Sequence, residues 1–238
     1  MNYKLRNLCF LFVIFLFFLA ASWGCDDEND STHKTTGSVS DYEGNAYATV
    51  KIGSQWWMAD NLKSTKYSDG SDIAEYYIIE GLTSGNDEIY GLLYTWSAVM
   101  NGAASDNSSP GIVKGACPDG WHVPSDNDWE ELTLFVGGSH IAGGKLKAIG
   151  SLEGGDGYWS LPNTGATDEY GFGALPGGYY FSGMGSYQIN AASRFWSSAE
   201  SPTVSTNAIE RIFSYDDESV MKAEDSKETY FSCRCVKN

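Results

Sequence analysis

The chain has 238 residues, of which 14% are aromatic and 27 are glycines, and its formal net charge is −16 at pH 7. This length suits one domain with a sizeable core, and the many short segments bounded by glycine favour a loop-rich fold with strands over a helical bundle. The acidic balance disfavours nucleic acids and anionic lipid headgroups as direct ligands.

Residues 1–24 are predicted to be a lipoprotein signal peptide. Lys4 and Arg6 give a positive start, and the apolar run Leu8–Ala21 is too short to span a bilayer comfortably. A small residue precedes Cys25, as at lipoprotein cleavage sites, so we expect Cys25 to carry acyl chains, including palmitate. The alternative is ordinary secretory cleavage that leaves Cys25 free. Removal of the leader makes the net charge −16 − 2 = −18.

Residues 25–44 are predicted to be the lipidated cysteine and a flexible acidic tether. The acidic run at 26–30 resembles the surface-export signal of Bacteroidota lipoproteins, although it also fits an ordinary solvated linker. The polar segment that follows would reach about 25 Å on average. We therefore expect a lipid-anchored outer-membrane protein with its domain, residues 45–238, facing outward.

The domain is expected to open with a β-hairpin. Alternating residues predict a strand over Ala46–Ile52, Gly53-Ser54 a turn, and Gln55–Met58 the returning strand. The neighbouring Trp56 and Trp57 would then point to opposite faces, one toward the core and one over it. Further along, Tyr90–Met100 predicts a short strand that leads into a short helix.

One helix is well marked, over residues 126–136. Ser125 is suited to cap its N-terminus, and Asp128 stands at the third helical position, as in a capping box. Gly137-Gly138 supplies the stop. Its apolar residues recur at helical spacing and are Trp129, Leu132, Phe135 and Val136.

The C-terminal part is predicted to be mostly strands. Gly143–Ala148 is expected to form a single helical turn bounded by glycines, and Ser151–Tyr170 a loop rich in aromatic residues and glycine. The predicted strands are 172–181, interrupted at Pro176-Gly177-Gly178, then 194–198, 208–215, 220–223 and 230–236.

The most specific sequence block is GACPDGWHVPSDNDWEEL, residues 115–132. Together with five collinear blocks, it resembles the signature of the Fibrobacter succinogenes major paralogous domain family over roughly residues 41–238. That family has no established general activity. The five blocks are VKIGSQWWMADNLK (50–63), YGLLYTW (90–96), DEYGFGALPGGYY (168–180), RFWSSAE (194–200) and FSCRCVKN (231–238).

The helix block and the terminal RCVK strand also resemble the C-type-lectin-like fold of formylglycine-generating enzymes. The resemblance implies an α+β fold. We expect a single C-type-lectin-like domain of short antiparallel strands, with the one well-marked helix, one or two short helices and long loops.

Three cysteines remain after the leader and Cys25 are set aside, so at most one intramolecular bridge can form. The resemblance favours Cys117–Cys235, because both residues lie in family-like motifs, whereas Cys233 stands where the family pattern has valine. Cys233 and Cys235 would share one face of a strand. A Cys117–Cys233 bridge therefore stays open at this point, and no spacing of cysteines and histidines indicates zinc.

Catalytic motifs are not found in the sequence. There is no Ser-His-Asp order and no GxSxG elbow, and His122 is expected to be a buried structural residue. The cysteine block on which formylglycine-generating enzymes depend is also missing, so we predict that the protein is not an enzyme. Oxygen-rich clusters at 86–88, 126–128 and 216–218 lack EF-hand spacing, which leaves calcium open and solvated loop charge as the ordinary interpretation.

Aromatic residues in glycine-rich stretches are the candidate ligand contacts, since flat exposed rings offer large contact area at low entropy cost. The alternative is that these rings cover a thin core. We predict a non-catalytic module that recognises a glycan or a surface protein, with a structural coat or assembly component as the alternative and an enzyme as the least favoured. The candidate residues are Tyr158, Trp159, Tyr179, Tyr180 and Tyr187.

Overall fold

The computed structural model describes residues 34–79 and 86–238. The predicted signal peptide, the lipidation site Cys25 and the acidic run after it lie outside these ranges. Within them, every helix is too short or too polar to cross a membrane. In chain order the elements are β1 (Thr36–Ser40), β2 (Ala46–Ile52), β3 (Gln55–Met58), β4 (Tyr76–Tyr77), α1 (Asn86–Tyr90), β5 (Leu93–Tyr94), α2 (Trp96–Met100), β6 (Trp121–His122), α3 (Asp126–Phe135), α4 (Ser139–Leu146), β7 (Tyr179–Phe181), β8 (Gly185–Tyr187), β9 (Ala192–Glu200), β10 (Asn207–Ser214), β11 (Val220–Ser226), β12 (Thr229–Ser232) and β13 (Val236–Lys237).

The strands form two sheets, and the mixture of helix and strand agrees with the α+β class. A five-stranded sheet has the order β1-β2-β3-β13-β6, and an eight-stranded sheet has the central order β11-β10-β9-β12-β5-β4. The remaining strands, β7 and β8, form a hairpin that attaches to β12 through β7. The last strand of the chain thus lies beside β3, which is close to the start of the domain.

The first strand, β1, lies inside the segment that was predicted to be a flexible tether. It pairs with β2 from Thr36↔Val50 to Ser40↔Ala46, so the domain begins before residue 45. Four of its five side chains are exposed. Because the strand buries almost no apolar surface, hydrophobic periodicity gave no signal for it.

The hairpin and the marked helix are confirmed. β2 and β3 pair around Gly53-Ser54, and Trp57 is fully buried while Trp56 is half-buried. At α3, the Ser125 hydroxyl accepts a hydrogen bond from the Asp128 N–H at 3.0 Å, and the Asp128 carboxylate accepts one from the Ser125 N–H at 2.9 Å. This is the predicted capping box.

The predicted single turn at Gly143–Ala148 is wrong, because a helix of eight residues, α4, runs over Ser139–Leu146. Gly143 and Gly144 do not end the helix; they allow the backbones of neighbouring segments to approach it closely. A Cβ at Gly143 would lie 2.2 Å from the Ser219 carbonyl oxygen, and one at Gly144 would lie 2.5 Å from that of Gly165. Close contact between backbones explains both glycines.

Two of the predicted strands are also corrected. Only Tyr179–Phe181 of the segment 172–181 is strand. The closing segment 230–236 is divided, because β12 belongs to the eight-stranded sheet and β13 to the five-stranded sheet. Cys233, Arg234 and Cys235 form the crossover, so the two cysteines do not share a strand face as expected.

Arg234 is fully buried at this crossover. Its Nε donates to Asn61 Oδ1 at 2.6 Å, its Nη2 donates to the Gly173 carbonyl at 2.9 Å, and its Nη1 donates to the Phe172 carbonyl. The guanidinium carbon lies 4.4 Å from the Phe172 ring centroid. Burial lowers the pKa of Arg234 to about 10, and the charges of Asp60 and Asp168 oppose this.

The disulfide in the structure joins Cys117 to Cys235, the pairing that the resemblance favoured. Cys233 is buried with a free thiol. The core around the bridge includes Met58, Trp96 and Trp196. A second core, next to α3, is largely aromatic, and its members include Trp57, Trp129, Trp159, Phe172, Phe195 and Phe213.

Replacing Arg234 tests how far the crossover depends on its guanidinium. Arg234→Met would leave Asn61 and two buried carbonyls without their donor, so we expect the free energy of unfolding in urea to fall by about 3–5 kcal/mol. Lys237→Met, at an exposed position three residues further along the chain, is the control. It should change the free energy of unfolding by less than about 1 kcal/mol. Equal unfolding midpoints for the two variants would show that Arg234 is not structurally important.

Candidate functional site

Tyrosines from four strands lie together at the hairpin β7–β8. Strand pairing brings them there, since Tyr180 lies opposite Tyr230 of β12 and Tyr179 lies opposite Tyr187 of β8. Tyr77 of β4 reaches the same place from the sheet edge and stacks on Tyr180. Adjacent residues of a strand point to opposite faces, so Tyr77, Tyr180 and Tyr230 lie on one face and Tyr179 and Tyr187 lie on the other. The tyrosine surface is the set Tyr77, Tyr180 and Tyr230.

The three rings of the tyrosine surface contact one another at close range. Tyr77 and Tyr180 are stacked, with ring centroids 3.7 Å apart and an interplanar angle of 8°. Tyr180 meets Tyr230 edge to face at 5.3 Å. All three rings are half-buried, so the site is an aromatic layer that keeps part of each ring accessible. On the opposite face Tyr179 and Tyr187 are stacked at 5.4 Å.

Arg194 of β9 lies on that opposite face, beside Tyr179. Its guanidinium carbon lies 4.6 Å from the Tyr179 ring centroid. Its Nη1 lies 3.0 Å from the buried Glu210 carboxylate and 3.6 Å from that of Asp225. Burial raises the pKa of Glu210 to about 7; Arg194 opposes this shift and Asp225 adds to it.

Of the five predicted contact residues, Tyr180 lies in the tyrosine surface, and Tyr179 and Tyr187 lie on the other face of the same hairpin. Tyr158 is also exposed, at 39%, but its ring packs edge to face on Tyr90 at 5.6 Å. Among the described residues, no ring contact joins Tyr158 to the tyrosine surface.

The prediction that Trp159 is an exposed contact is wrong, because Trp159 is fully buried. Its Nε1 donates to the Ala174 carbonyl at 2.9 Å, and the Lys147 ammonium lies 5.3 Å from its ring. The neighbouring glycines let the loop fold tightly against itself, since a Cβ at Gly150 would lie 2.3 Å from the Asp156 carbonyl oxygen. Tight backbone packing turns the indole inward, where glycine content alone suggested exposure.

Sequence reasoning missed Tyr77 and Tyr230. Tyr77 lay in the segment 64–89 that was interpreted as an irregular loop, and Tyr230 in the closing strand. Tyr230 could have been found only by knowing that β7 pairs with the first half of β12. Strand partners far apart in sequence leave no local signal.

The surface clefts are weaker candidates for a ligand site than the tyrosine surface. The cleft of about 480 Å³ is lined by Met100, Asp106 and Lys114 among others. Its charged groups are engaged locally: Asp106 accepts the Ile112 N–H at 3.1 Å, and Lys114 pairs with Asp119. Because these contacts engage both charged groups, neither is free to bind a ligand in the cleft.

His122 lies beside a second cleft of about 310 Å³ and is a buried structural residue, as expected. Its Nε2 lies 3.1 Å from Asp128 Oδ2 and its Nδ1 lies 2.7 Å from Asn238 Oδ1. Burial raises the pKa of Asp128, but hydrogen bonds from His122 and Ser125 outweigh it and the net shift is downward. The pair joins α3 to the end of the chain.

The side chains that could bind a metal ion are already bonded to other groups of the protein. The sulfurs of Cys117, Cys233 and Cys235 lie within 4.8 Å of one another, but two of them are bonded in the disulfide. Burial raises the pKa of the remaining Cys233 thiol to about 12, which keeps it protonated. In the cluster 126–128, Asp126 pairs with Arg211 and Lys222, so its oxygens are already engaged.

Residues 50–237 match the family model described as the Fibrobacter succinogenes major domain. The match covers most of the chain and confirms the resemblance that the sequence motifs indicated. No curated protein and no solved structure matches the chain.

The buried Glu210 predicts a pH dependence of stability. Its folded pKa of about 7 exceeds the unfolded value of about 4.5, so the contribution of Glu210 to stability is fully present below about pH 4.5 and is lost as the pH rises through 7. Glu210→Gln mimics the protonated acid, and we expect it to gain on the order of 1–3 kcal/mol relative to wild type between pH 5 and pH 8.

Urea unfolding at pH 5, 6, 7 and 8 measures this difference. Glu224→Gln, an exposed position on β11, is the control and should stay parallel to wild type across the range. A wild-type-to-Glu210→Gln difference that is constant with pH would contradict the raised pKa.

Proposed function

The chain belongs to the Fibrobacter succinogenes major domain family, and we propose that it is a non-catalytic binding module of the cell surface. The observation that carries this proposal is the tyrosine surface, in which contacting rings from three strands stay partly exposed. Tyrosine combines a flat apolar face with a hydroxyl and loses little side-chain entropy on binding, which suits recognition of glycans and proteins.

We further propose that the domain is C-type-lectin-like and anchored in the outer membrane through a lipid on Cys25. The fold proposal is supported by the single long helix α3 and by the pairing of the last strand, β13, with β3. The anchor proposal is supported by the leader sequence and the small residue before Cys25.

A structural role in a coat or assembly is the second candidate. It is favoured by the loop 149–161, where Ile149, Leu152 and Leu161 are exposed at 61%, 51% and 55%. Large apolar side chains exposed in one segment are typical of a contact with another protein. The two roles can be separated by mutation. Substitutions at the tyrosine surface should weaken ligand binding, whereas substitutions in this loop should weaken an assembly contact.

The ligand prediction is tested with the full chain in detergent, on a glycan array with calcium and with chelator, and by crosslinking to surface proteins in the native cell. Tyr77→Ala and Tyr180→Ala should each weaken the binding found by about tenfold, since a buried aromatic contact contributes about 1–2 kcal/mol. Tyr158→Ala, an exposed tyrosine outside the surface, should bind like wild type.

Binding that survives both tyrosine variants would contradict the proposed site. No glycan and no crosslinked partner would move the assignment to the structural role. Equal binding with calcium and chelator would exclude a calcium-dependent contact.

The anchor is tested by Cys25→Ala. Removing the acylated thiol removes the lipid, and about 0.8 kcal/mol per buried methylene is lost with it, so the variant should appear in the soluble fraction while wild type pellets with membranes. Metabolic labelling with a fatty acid should mark wild type only. An unlabelled wild type, or a variant that still pellets, would refute the lipid anchor.

A further inference from the structure

Two glutamates border the tyrosine surface at the same end of the sheet. Glu75 directly precedes β4 and Glu228 directly precedes β12. Since β5 pairs with both strands, Glu75 and Tyr230 fall in one row on either side of Thr95. The Thr95 hydroxyl donates to the Glu75 carboxylate at 2.7 Å. At about 4.8 Å per strand, the row places Glu75 roughly 10 Å from Tyr230, on the same face of the sheet.

Both carboxylates act on the ring next to them. Burial is the first cause that raises the pKa of the Tyr230 hydroxyl, and the charge of Glu75 is the second. Glu228 shifts it in the same direction. The two negative charges are therefore close enough to influence whatever contacts this ring.

Glu75 and Glu228 are exposed, and in the part of the chain that the structure describes no lysine or arginine pairs with either. The cations nearby are engaged elsewhere. Arg194 pairs with Glu210 and Asp225, and the Lys227 ammonium contacts the Glu200 carboxylate and the Ser205 carbonyl at 2.5 and 2.7 Å. The tyrosine surface thus presents negative charge that no cation of residues 34–79 and 86–238 neutralises.

Aromatic faces add to this preference for cations. The face of a tyrosine ring carries negative potential and attracts an ammonium or a guanidinium within about 6 Å of the ring centroid. The domain contains an example, since the Arg194 guanidinium lies 4.6 Å from the Tyr179 ring. The hairpin thus shows, on its opposite face, the kind of contact that a basic partner would make with the tyrosine surface.

We propose that the tyrosine surface binds arginine or lysine side chains of a basic segment in a protein partner. The rings contact the cation and its aliphatic stem, and Glu75 and Glu228 pair with the charge. This inference rests on the proposed function and narrows the ligand to a cationic polypeptide, since a neutral glycan has no use for the two carboxylates.

The test uses the full chain in detergent and a hexa-arginine peptide as the probe, with hexa-citrulline as its neutral isostere. We expect hexa-arginine to bind at least tenfold more tightly than hexa-citrulline. The double variant Glu75→Gln/Glu228→Gln should weaken hexa-arginine binding by about tenfold, and Tyr77→Leu should weaken it without any change of net charge.

The matched control is Glu218→Gln/Glu224→Gln, which removes the same charge from exposed positions at and beside the opposite sheet edge, β11. It should change the affinity less than twofold, and all variants should keep wild-type unfolding midpoints within about 1 kcal/mol. Equal weakening by the two double variants would mean diffuse attraction to an acidic protein and would overturn the proposal, as would equal binding of the two peptides.

Failure here is distinguishable from failure of the proposed function. Glycan binding that depends on Tyr77 but not on Glu75 or Glu228, with no hexa-arginine binding, would overturn the cationic partner and keep the binding site. Loss of every tyrosine-dependent interaction would overturn both.

Discussion

The burial of Arg234 at the crossover between the sheets is the constraint on which the rest of the fold depends. A guanidinium without water must find acceptors for its donors, and desolvation makes their absence costly. Asn61 and the carbonyls of Phe172 and Gly173 supply them. Asn61 in turn donates to the Tyr90 carbonyl at 2.7 Å, so four distant segments are fixed around one side chain.

The crossover also explains where the tyrosine surface forms. Because the chain leaves the eight-stranded sheet after Ser232, β12 is short and its two halves have different partners on one side. Ser232 pairs with Phe195 of β9, whereas Thr229 and Tyr230 pair with β7. β9 extends back to Ala192, but it does not pair with this first half of β12; β7 pairs there instead, and Gly178, just before β7, bridges to Ser193 of β9. Tyr180 of the hairpin thereby meets Tyr77 of β4 and Tyr230 of β12.

The predictable parts of the fold are those whose signal is local. The capping box at Ser125 and the hairpin around Gly53-Ser54 are determined by neighbouring residues, and both could be found from sequence. Gly143 and Trp159 could not, because their roles depend on Ser219 and Ala174, which are distant in sequence. A glycine that permits backbone contact resembles a helix stop until its neighbour is known.

The candidate site shows the same division. Tyr180 could be selected as an aromatic residue in a glycine-rich stretch, but Tyr77 and Tyr230 join it only through strand pairing. Tyr179 and Tyr187 are selected by the same signal, although the alternation along each strand turns them to the opposite face. The carboxylates beside the tyrosine surface are harder still to select. In a chain with 31 acidic residues, only the register across β4, β5 and β12 distinguishes Glu75 from the others.

The distribution of charge explains why close contacts must provide the specificity at this surface. The fully buried charged side chains of the described residues are three cations, Lys147, Arg211 and Arg234, and three carboxylates, Asp126, Asp128 and Glu210. Their formal charges balance, so the negative excess of the described residues lies at the surface. Salt screens such charge beyond about 8 Å, and general acidity therefore attracts a basic partner without orienting it. Orientation needs groups at contact distance, and the stacked tyrosines flanked by Glu75 and Glu228 combine rigid ring faces with negative charge that no cation of the described chain neutralises.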